Sequence, residues 1–193
     1  MNENHAEVCS SQEWRDHIRD DVLRRVLAGL QLPDGRLGGE VLEVGPGYGP
    51  ATELLRGMAG RLTAIEIDPE LAVPLAEKYA DVAVEVGDAT EMPFPDGRFD
   101  AVVCFTMLHH VPSAELQDRI FAEAHRVLRD GGVFAGSDSM DSADRREFHA
   151  GDTFTPVDPG VLADRLRSAG FSDPVVHVHD GGDHFTFSTR RPG

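Results

Sequence analysis

Glycines stand at 45, 47 and 49 in the run Val41-Leu42-Glu43-Val44-Gly45-Pro46-Gly47-Tyr48-Gly49. Glycine tolerates positive φ and lets a ligand lie against the backbone. The apolar residues before the turn predict a strand, and ligands of open α/β sheets bind at the carboxyl ends of strands. The dinucleotide fingerprint G-x-G-x-x-G needs a third glycine at position 50, where Pro50 stands, and no G-K-[ST] follows to make a P-loop. Glu43, just before the turn, would repel a pyrophosphate and favours a ligand with positive charge, such as an amino group. Two further acids follow. Glu66 comes 21 residues after Gly45, where an acid accepts hydrogen bonds from both ribose hydroxyls. Asp88, in Gly87-Asp88-Ala89 after the third expected strand, can accept from an exocyclic amine such as adenine N6. Carboxylates at three consecutive strand ends match one ligand, with an amine-bearing tail, a ribose and an adenine.

Other residues carry chemistry with less support from spacing. His109 and His110 follow the fourth expected strand and Thr106-Met107-Leu108, which puts them near the mouth of the same edge. Histidine titrates near neutral pH, so either is a candidate general base, a helix-start ring with a satisfied partner being the alternative. Cys104 ends a buried strand and reads as core filler, and with Cys9 it makes two free thiols. There are nine histidines but no H-E-x-x-H motif and no cysteine cluster, so no metal ligand set is expected. His177 and His179 share a strand face by alternation alone. Asp138 and Asp141 are considered for magnesium without a supporting set of ligands.

The elements that must hold these residues are legible from periodicity. Trp14, Ile18, Val22, Val26 and Leu30 form a strict i, i+4 series among charged residues, which predicts one amphipathic helix over 12–30. Strand and helix then alternate five times from residue 40 to 137: strands at 40–44, 62–67, 82–86, 99–105 and 133–136, with helices between them. Pro69 suits a first helical turn, and Ser113 an N-cap. The expected fold is therefore α/β, a Rossmann-like, doubly wound sheet of seven strands, mostly parallel, in three layers. After a helix near 158–169, two alternating runs, 174–179 and 184–188, are separated by only Asp180 to Asp183. Four residues cannot hold a crossover helix, so this pair must be an antiparallel hairpin and the C-terminal strand runs reversed.

The 193 residues suit one domain, with 1–37 as a helical cover segment and 38–193 as the core. Lys and Arg number 18 against 34 Asp and Glu, a formal net charge of −16, which disfavours a nucleic acid or anionic membrane partner. The longest apolar run, 101–105, is far short of a membrane span. The first residues lack a basic start and an apolar stretch, so a cytoplasmic location is expected.

Together, Glu43-Val-Gly-Pro-Gly-Tyr-Gly49, Ile65-Glu-Ile-Asp-Pro69, Gly87-Asp-Ala-Thr-Glu-Met-Pro-Phe94, Arg98-Phe-Asp-Ala-Val-Val103 and Leu128-Arg-Asp-Gly-Gly132 resemble the motifs of class I S-adenosylmethionine-dependent methyltransferases. The resemblance covers roughly residues 38–191 and is nearest the small-molecule branch that includes the ubiquinone and menaquinone biosynthesis methyltransferases. It implies S-adenosylmethionine as cofactor and a small-molecule methyl acceptor. By it, Glu43 holds the methionine amino group, Gly45, Gly47 and Gly49 line its tail, Glu66 clasps the ribose, and Ile67 packs on adenine. Asp88 takes N6 with Ala89 beside it, and Phe105 joins the cofactor set. It favours His110 over His109 as a base, and it places Trp14, His17, His149 and Asp152 in the cover over the substrate. The Pro-Cys and Asn-Pro-Pro-Tyr sequences of nucleic acid methylation are missing. A nicotinamide-dependent oxidoreductase and a non-catalytic S-adenosylmethionine-binding protein are the alternatives.

Overall fold

The computed structural model describes residues 2–30, 32–181 and 183–193. Among them seven strands form one sheet: β1 (Gly38–Val44), β2 (Ala59–Glu66), β3 (Val82–Val86), β4 (Phe99–Phe105), β5 (Leu128–Ser139), β6 (Ser172–Val178) and β7 (His184–Arg190). Their spatial order is β3-β2-β1-β4-β5-β7-β6, with β7 antiparallel to both neighbours and the other pairs parallel. The expected architecture and the reversed last strand are both found. The order turns outward in both directions from β1 and β4, so the carboxyl ends of these two strands flank the switch point where a crevice opens.

Helices cover both faces. Even-numbered residues of the central strands, such as Leu42, Val44, Val102 and Cys104, meet α6 (Ala114–Val127) and α8 (Pro159–Ser168) through Ile120, Phe121, Leu162 and Leu166. Odd-numbered ones, such as Val41, Ala101 and Val103, meet the N-terminal helices and α4 (Thr52–Met58) and α5 (Pro69–Lys78) through Ile18, Val22, Leu55 and Leu75. Burial on both sides explains the nearly continuous apolar run of β4. Pro69 occupies the first turn of α5 behind an Asp68 cap, and Ser113 caps α6.

The N-terminal region departs from expectation. The single helix over 12–30 is built as α2 (Gln12–His17), a π-helical stretch Ile18–Leu23, and α3 (Arg24–Ala28). Apolar residues every four positions overshoot a 3.6-residue turn by about 40° per step. Widening the middle turn slows that drift and keeps Ile18, Val22 and Val26 on the buried side. A preceding helix, α1 (Glu3–Ser10), was not expected. Asn2 caps it by accepting from the His5 backbone N–H at 2.8 Å. Strand β5 starts earlier than the expected 133–136: Asp130-Gly131-Gly132 lies within it, absorbed where the register against β4 slips between Phe99 and Ala101. A short helix, α7 (Ala143–Phe148), fills part of the connection from β5 to α8.

Candidate active site

A cavity of about 470 Å³ opens at the carboxyl ends of β1, β2 and β4, with residues of α1 and α2 over it. Its floor is the glycine turn, where Gly45 and Gly47 have φ of 65° and 55°. A Cβ on Gly45 would sit 3.0 Å from Met107, while one on Gly47 would meet nothing, because that position faces open space. Gly49 differs from its expected role. It does not line the cavity, and a Cβ there would lie 2.4 Å from Leu75 Cδ1 on α5. Its glycine serves the packing of the turn against that helix.

Glu43, next to last in β1, is 1% exposed, and Thr52 Oγ1 donates to its Oε2 at 2.7 Å. Burial pushes its pKa up to about 7, against the pull of the Thr52 hydrogen bond and with a further push from the Glu66 charge. Among the described residues no Lys, Arg or His pairs with it. A buried carboxylate costs free energy unless it meets a cation or donors, so this one is poised for a positively charged group in the cavity. Glu66, also buried, accepts from the backbone N–H of Gly47 at 3.0 Å and of Asp68 at 3.1 Å. It therefore pins the glycine turn as well as lining the cavity. Asp88 is exposed at the rim, accepting from the Thr90 N–H at 2.8 Å, with Ala89 beside it. Ile67, 67% exposed, offers an uncovered apolar side chain at the same rim, and Phe105 forms part of the wall.

The expected histidines separate. His110 lines the cavity, and burial, with His109 and His5 close by, pushes its pKa down to about 3. His109 does not reach the cavity: its ring is buried with Nδ1 on the Asp138 carboxylate, and its backbone N–H donates to the same carboxylate at 3.2 Å. Asp138 is thus engaged, and the exposed Asp141 pairs with Arg146 at 2.6 Å, so the two do not form a joint ligand set. Trp14 lines the cavity, but His17 lies outside it, exposed and packed against Trp14 at 5.4 Å between ring centroids. His149 is likewise outside the wall, buried and stacked on Phe154 at 4.5 Å.

Three further residues line the cavity, and of these His5 and Cys9 carry no site signal in the sequence. His5 and Cys9 come from α1, and Asp152 from the connection after α7. Asp152 accepts from the Asn2 N–H at 2.8 Å and contacts His5 Nδ1 at 3.0 Å, so it ties α1 across the cavity mouth. The pattern of Asn2 ahead of a short polar-apolar run was the available clue to α1. Cys9 has its thiol pushed up to about 11 by burial, and the buried Cys104 well above its ordinary value, so both are protonated.

The fold and the site define an α/β domain built to hold a nucleoside with a cationic arm. Residues 42–136 match the family described as the methyltransferase domain. The 27-O-demethylrifamycin SV methyltransferase of Amycolatopsis mediterranei is 37% identical over 160 residues, 79% of this chain and 52% of that one. The sarcosine/dimethylglycine N-methyltransferase of Halorhodospira halochloris is 33% identical over 186 residues, 86% of this chain and 64% of that one. The structure of Haemonchus contortus phosphoethanolamine N-methyltransferase 2 with S-adenosyl-L-methionine shares the fold at a TM-score of 0.74 and 15% identity, covering 98% of this chain and 60% of that one. The domain match, the relatives and the shared fold make the chain similar to the class I S-adenosylmethionine-dependent methyltransferases. It spans about half the length of the curated relatives it matches. Among the described residues no helix is long and apolar enough to cross a membrane.

Proposed function

We propose that the chain transfers the methyl group of S-adenosylmethionine to an oxygen, nitrogen or carbon nucleophile on a small molecule. The observation that carries this reading is Glu43, a buried carboxylate with no cationic partner among the described residues, at the end of β1 beside a glycine turn. When bound, S-adenosylmethionine supplies an electrophilic methyl group on a sulfonium. Glu43 then holds the amino group of the amino acid arm, and Gly45 and Gly47 let that arm lie along the backbone. A carboxylate offers about four lone-pair sites. Glu66 gives two to Gly47 and Asp68 and keeps the others for the ribose hydroxyls. Ile67 and Ala89 flank the adenine, Asp88 accepts from its exocyclic amine, and Phe105 backs it.

Trp14 covers the acceptor side, and residues 1–37 serve as the cover of one domain formed with residues 38–193. His110 faces that side with a neutral ring. At a pKa of about 3 it orients an acceptor group by hydrogen bonding and is a weak proton carrier. His109 positions it from behind, the ring centroids being 4.1 Å apart. Holding acceptor and methyl group in line can supply about 7–11 kcal/mol of the barrier, which leaves little for a base to do. A cavity of this size suits a small-molecule acceptor, and a net charge of −16 repels a phosphate backbone. Two unpaired cysteines accord with a cytoplasmic setting.

Titration of Glu66→Ala with S-adenosylhomocysteine tests the cofactor assignment. Two lost hydrogen bonds to a charged group predict an affinity drop of about 100-fold or more. Wild-type affinity in that variant overturns the site. Labelled methyl incorporation tests the acceptor class: label is expected in the small-molecule fraction of a metabolite extract, and label confined to RNA, or none at all, refutes it.

A further inference from the structure

Three histidines from distant parts of the chain converge at the edge of the cavity. His5 lies on α1, His110 in the 3-10 turn Leu108–His110 after β4, and His149 at the end of α7. One ring nitrogen from each lies within 4.8 Å of the others. His5 and His149 are each 3% exposed, and His110 is half-buried with its side chain on the cavity wall.

The hydrogen bonds around two of these rings fix which nitrogen is free. The His149 Nδ1 lies 2.7 Å from the carbonyl oxygen of Arg145, which can only accept, so Nδ1 carries the proton and Nε2 the lone pair. That Nε2 is buried and has no hydrogen-bond partner among the described residues. His5 has its Nδ1 on the Asp152 carboxylate at 3.0 Å, which leaves its Nε2 as the donor of electrons. No hydrogen bond to the His110 ring is found among the described residues. Rings held at Nδ1 by a carboxylate or a carbonyl, as His5 and His149 are, keep Nε2 for a ligand, which is the outer-shell arrangement of metal-binding histidines. Such an unpartnered buried nitrogen otherwise costs free energy. The carboxyl group of Asp152 touches His5 and that of Asp138 lies behind His109, so two acidic side chains stand just outside the three rings. Phe148 and Phe154 close the far side, at 4.8 Å from the His5 ring and 4.5 Å from the His149 ring.

We propose that His5, His110 and His149 bind one divalent transition-metal ion, with an open coordination position facing the cavity. Three imidazoles select zinc or a neighbour such as nickel, copper or cobalt over magnesium and calcium, which take oxygen ligands. Metal–nitrogen bonds of about 2.0–2.1 Å set tetrahedral ligand atoms about 3.4 Å apart, so modest ring rotations close the site. Three histidines with a fourth position free is the pattern of a reactive zinc centre. Resting on the methyltransferase reading, the ion defines the acceptor: a molecule whose oxygen coordinates the metal, loses its proton to solvent, and is held as an anion beside the cofactor pocket.

The test uses the full chain, stripped with a chelator and titrated with Co²⁺ and Zn²⁺. One equivalent of Co²⁺ is expected to give intense visible d–d bands, and zinc is expected to displace it. His5→Ala and His149→Ala each lower zinc affinity at least 100-fold, and Asp152→Asn lowers it about 10–100-fold as a positioning residue. The double variant His177→Ala/His179→Ala, on a separate strand, keeps full affinity. Absence of stoichiometric binding, or affinity unchanged in all three cluster variants, overturns the proposal. If a cluster substitution unfolds the chain, paramagnetically shifted imidazole resonances of the cobalt-loaded wild type count the ligands: three sustain the site and fewer refute it. S-adenosylhomocysteine titration of the stripped protein separates the two readings, since loss of that binding sinks the methyltransferase site whatever the metal result.

Discussion

At the scale of single residues, Glu43 links folding, pH and cofactor binding. Its folded pKa of about 7 lies above the ordinary 4.5, so the folded chain holds this proton more tightly than the unfolded one. The group therefore costs nothing at low pH, destabilises the fold progressively as pH rises from 4.5 through 7, and exerts its full cost above that. At 1.36 kcal/mol per unit the cost at pH 8 is about 3 kcal/mol. A cationic amino group removes the penalty by pairing with the charged form. Affinity for S-adenosylhomocysteine should accordingly rise between pH 5.5 and 7.5 and then level off, with a proton released on binding near pH 6. Calorimetry in buffers of different ionisation enthalpy reads that proton directly. Glu43→Gln should flatten the profile, bind about 10-fold or more weakly at pH 8, and leave the ligand-free protein more stable there in denaturant titration. A variant with unchanged pH dependence assigns the proton to another group. Glu66 teaches a different lesson. As a strand-end acid it could be taken for a surface group that adds little stability, but its bonds to Gly47 and Asp68 make it part of the turn.

At the scale of elements, the glycine turn divides into two functions that spacing alone does not separate. Both Gly47 and Gly49 have positive φ, 55° and 75°, and both cost an added side chain backbone strain of about 1–2 kcal/mol. Only at Gly49 does the new Cβ collide with a neighbouring helix, at Leu75. Gly49→Ala should therefore destabilise the fold about 2 kcal/mol or more beyond Gly47→Ala, read as a lower thermal midpoint, since overpacking adds about 1–3 kcal/mol. Gly47→Ala should instead lower cofactor affinity with a smaller loss of stability, because its Cβ points into the space the ligand needs. Equal stability losses, with cofactor affinity intact in both, remove the distinction. Periodicity was enough for the sheet: Val82, Val84 and Val86 on alternate positions and the nearly all-apolar 99–105 run are found as strands. It failed where tertiary contacts decide. The four-residue spacing of Trp14, Ile18, Val22 and Val26 reads as one helix, and the π stretch arises only because those side chains must all meet the sheet. The convergence of His5, His110 and His149 is likewise invisible in sequence, since no local spacing links residues at least 39 positions apart.

At the scale of the whole molecule, the core and its cover rest on different forces. The sheet is held by two continuous apolar clusters. Among the described residues α1 contributes none to them, and it is tied down by polar bonds: the Asn2 N–H and His5 ring to Asp152, and the Asn2 amide to the carbonyls of Phe148 and Ala150 at 3.1 and 3.3 Å. Partly exposed hydrogen bonds without apolar burial mark a segment of low local stability. Because α1 and Trp14 of α2 form part of the cavity wall, the proposed transfer predicts that opening this segment admits the acceptor and leaves the sheet intact. Amide hydrogen exchange should thus be fastest, among helical residues, in 3–10, at rates set by local opening and unrelated to global unfolding. S-adenosylhomocysteine should slow exchange at 45–49 directly, and slow it at 3–17 by filling the space beneath. Asp152→Ala should speed exchange at 3–10 several-fold while leaving β1 and β4 unchanged. Exchange at 3–10 as slow as in β4, or equally slow with and without Asp152, would mean that the cover is part of the cooperative core and that the acceptor enters elsewhere.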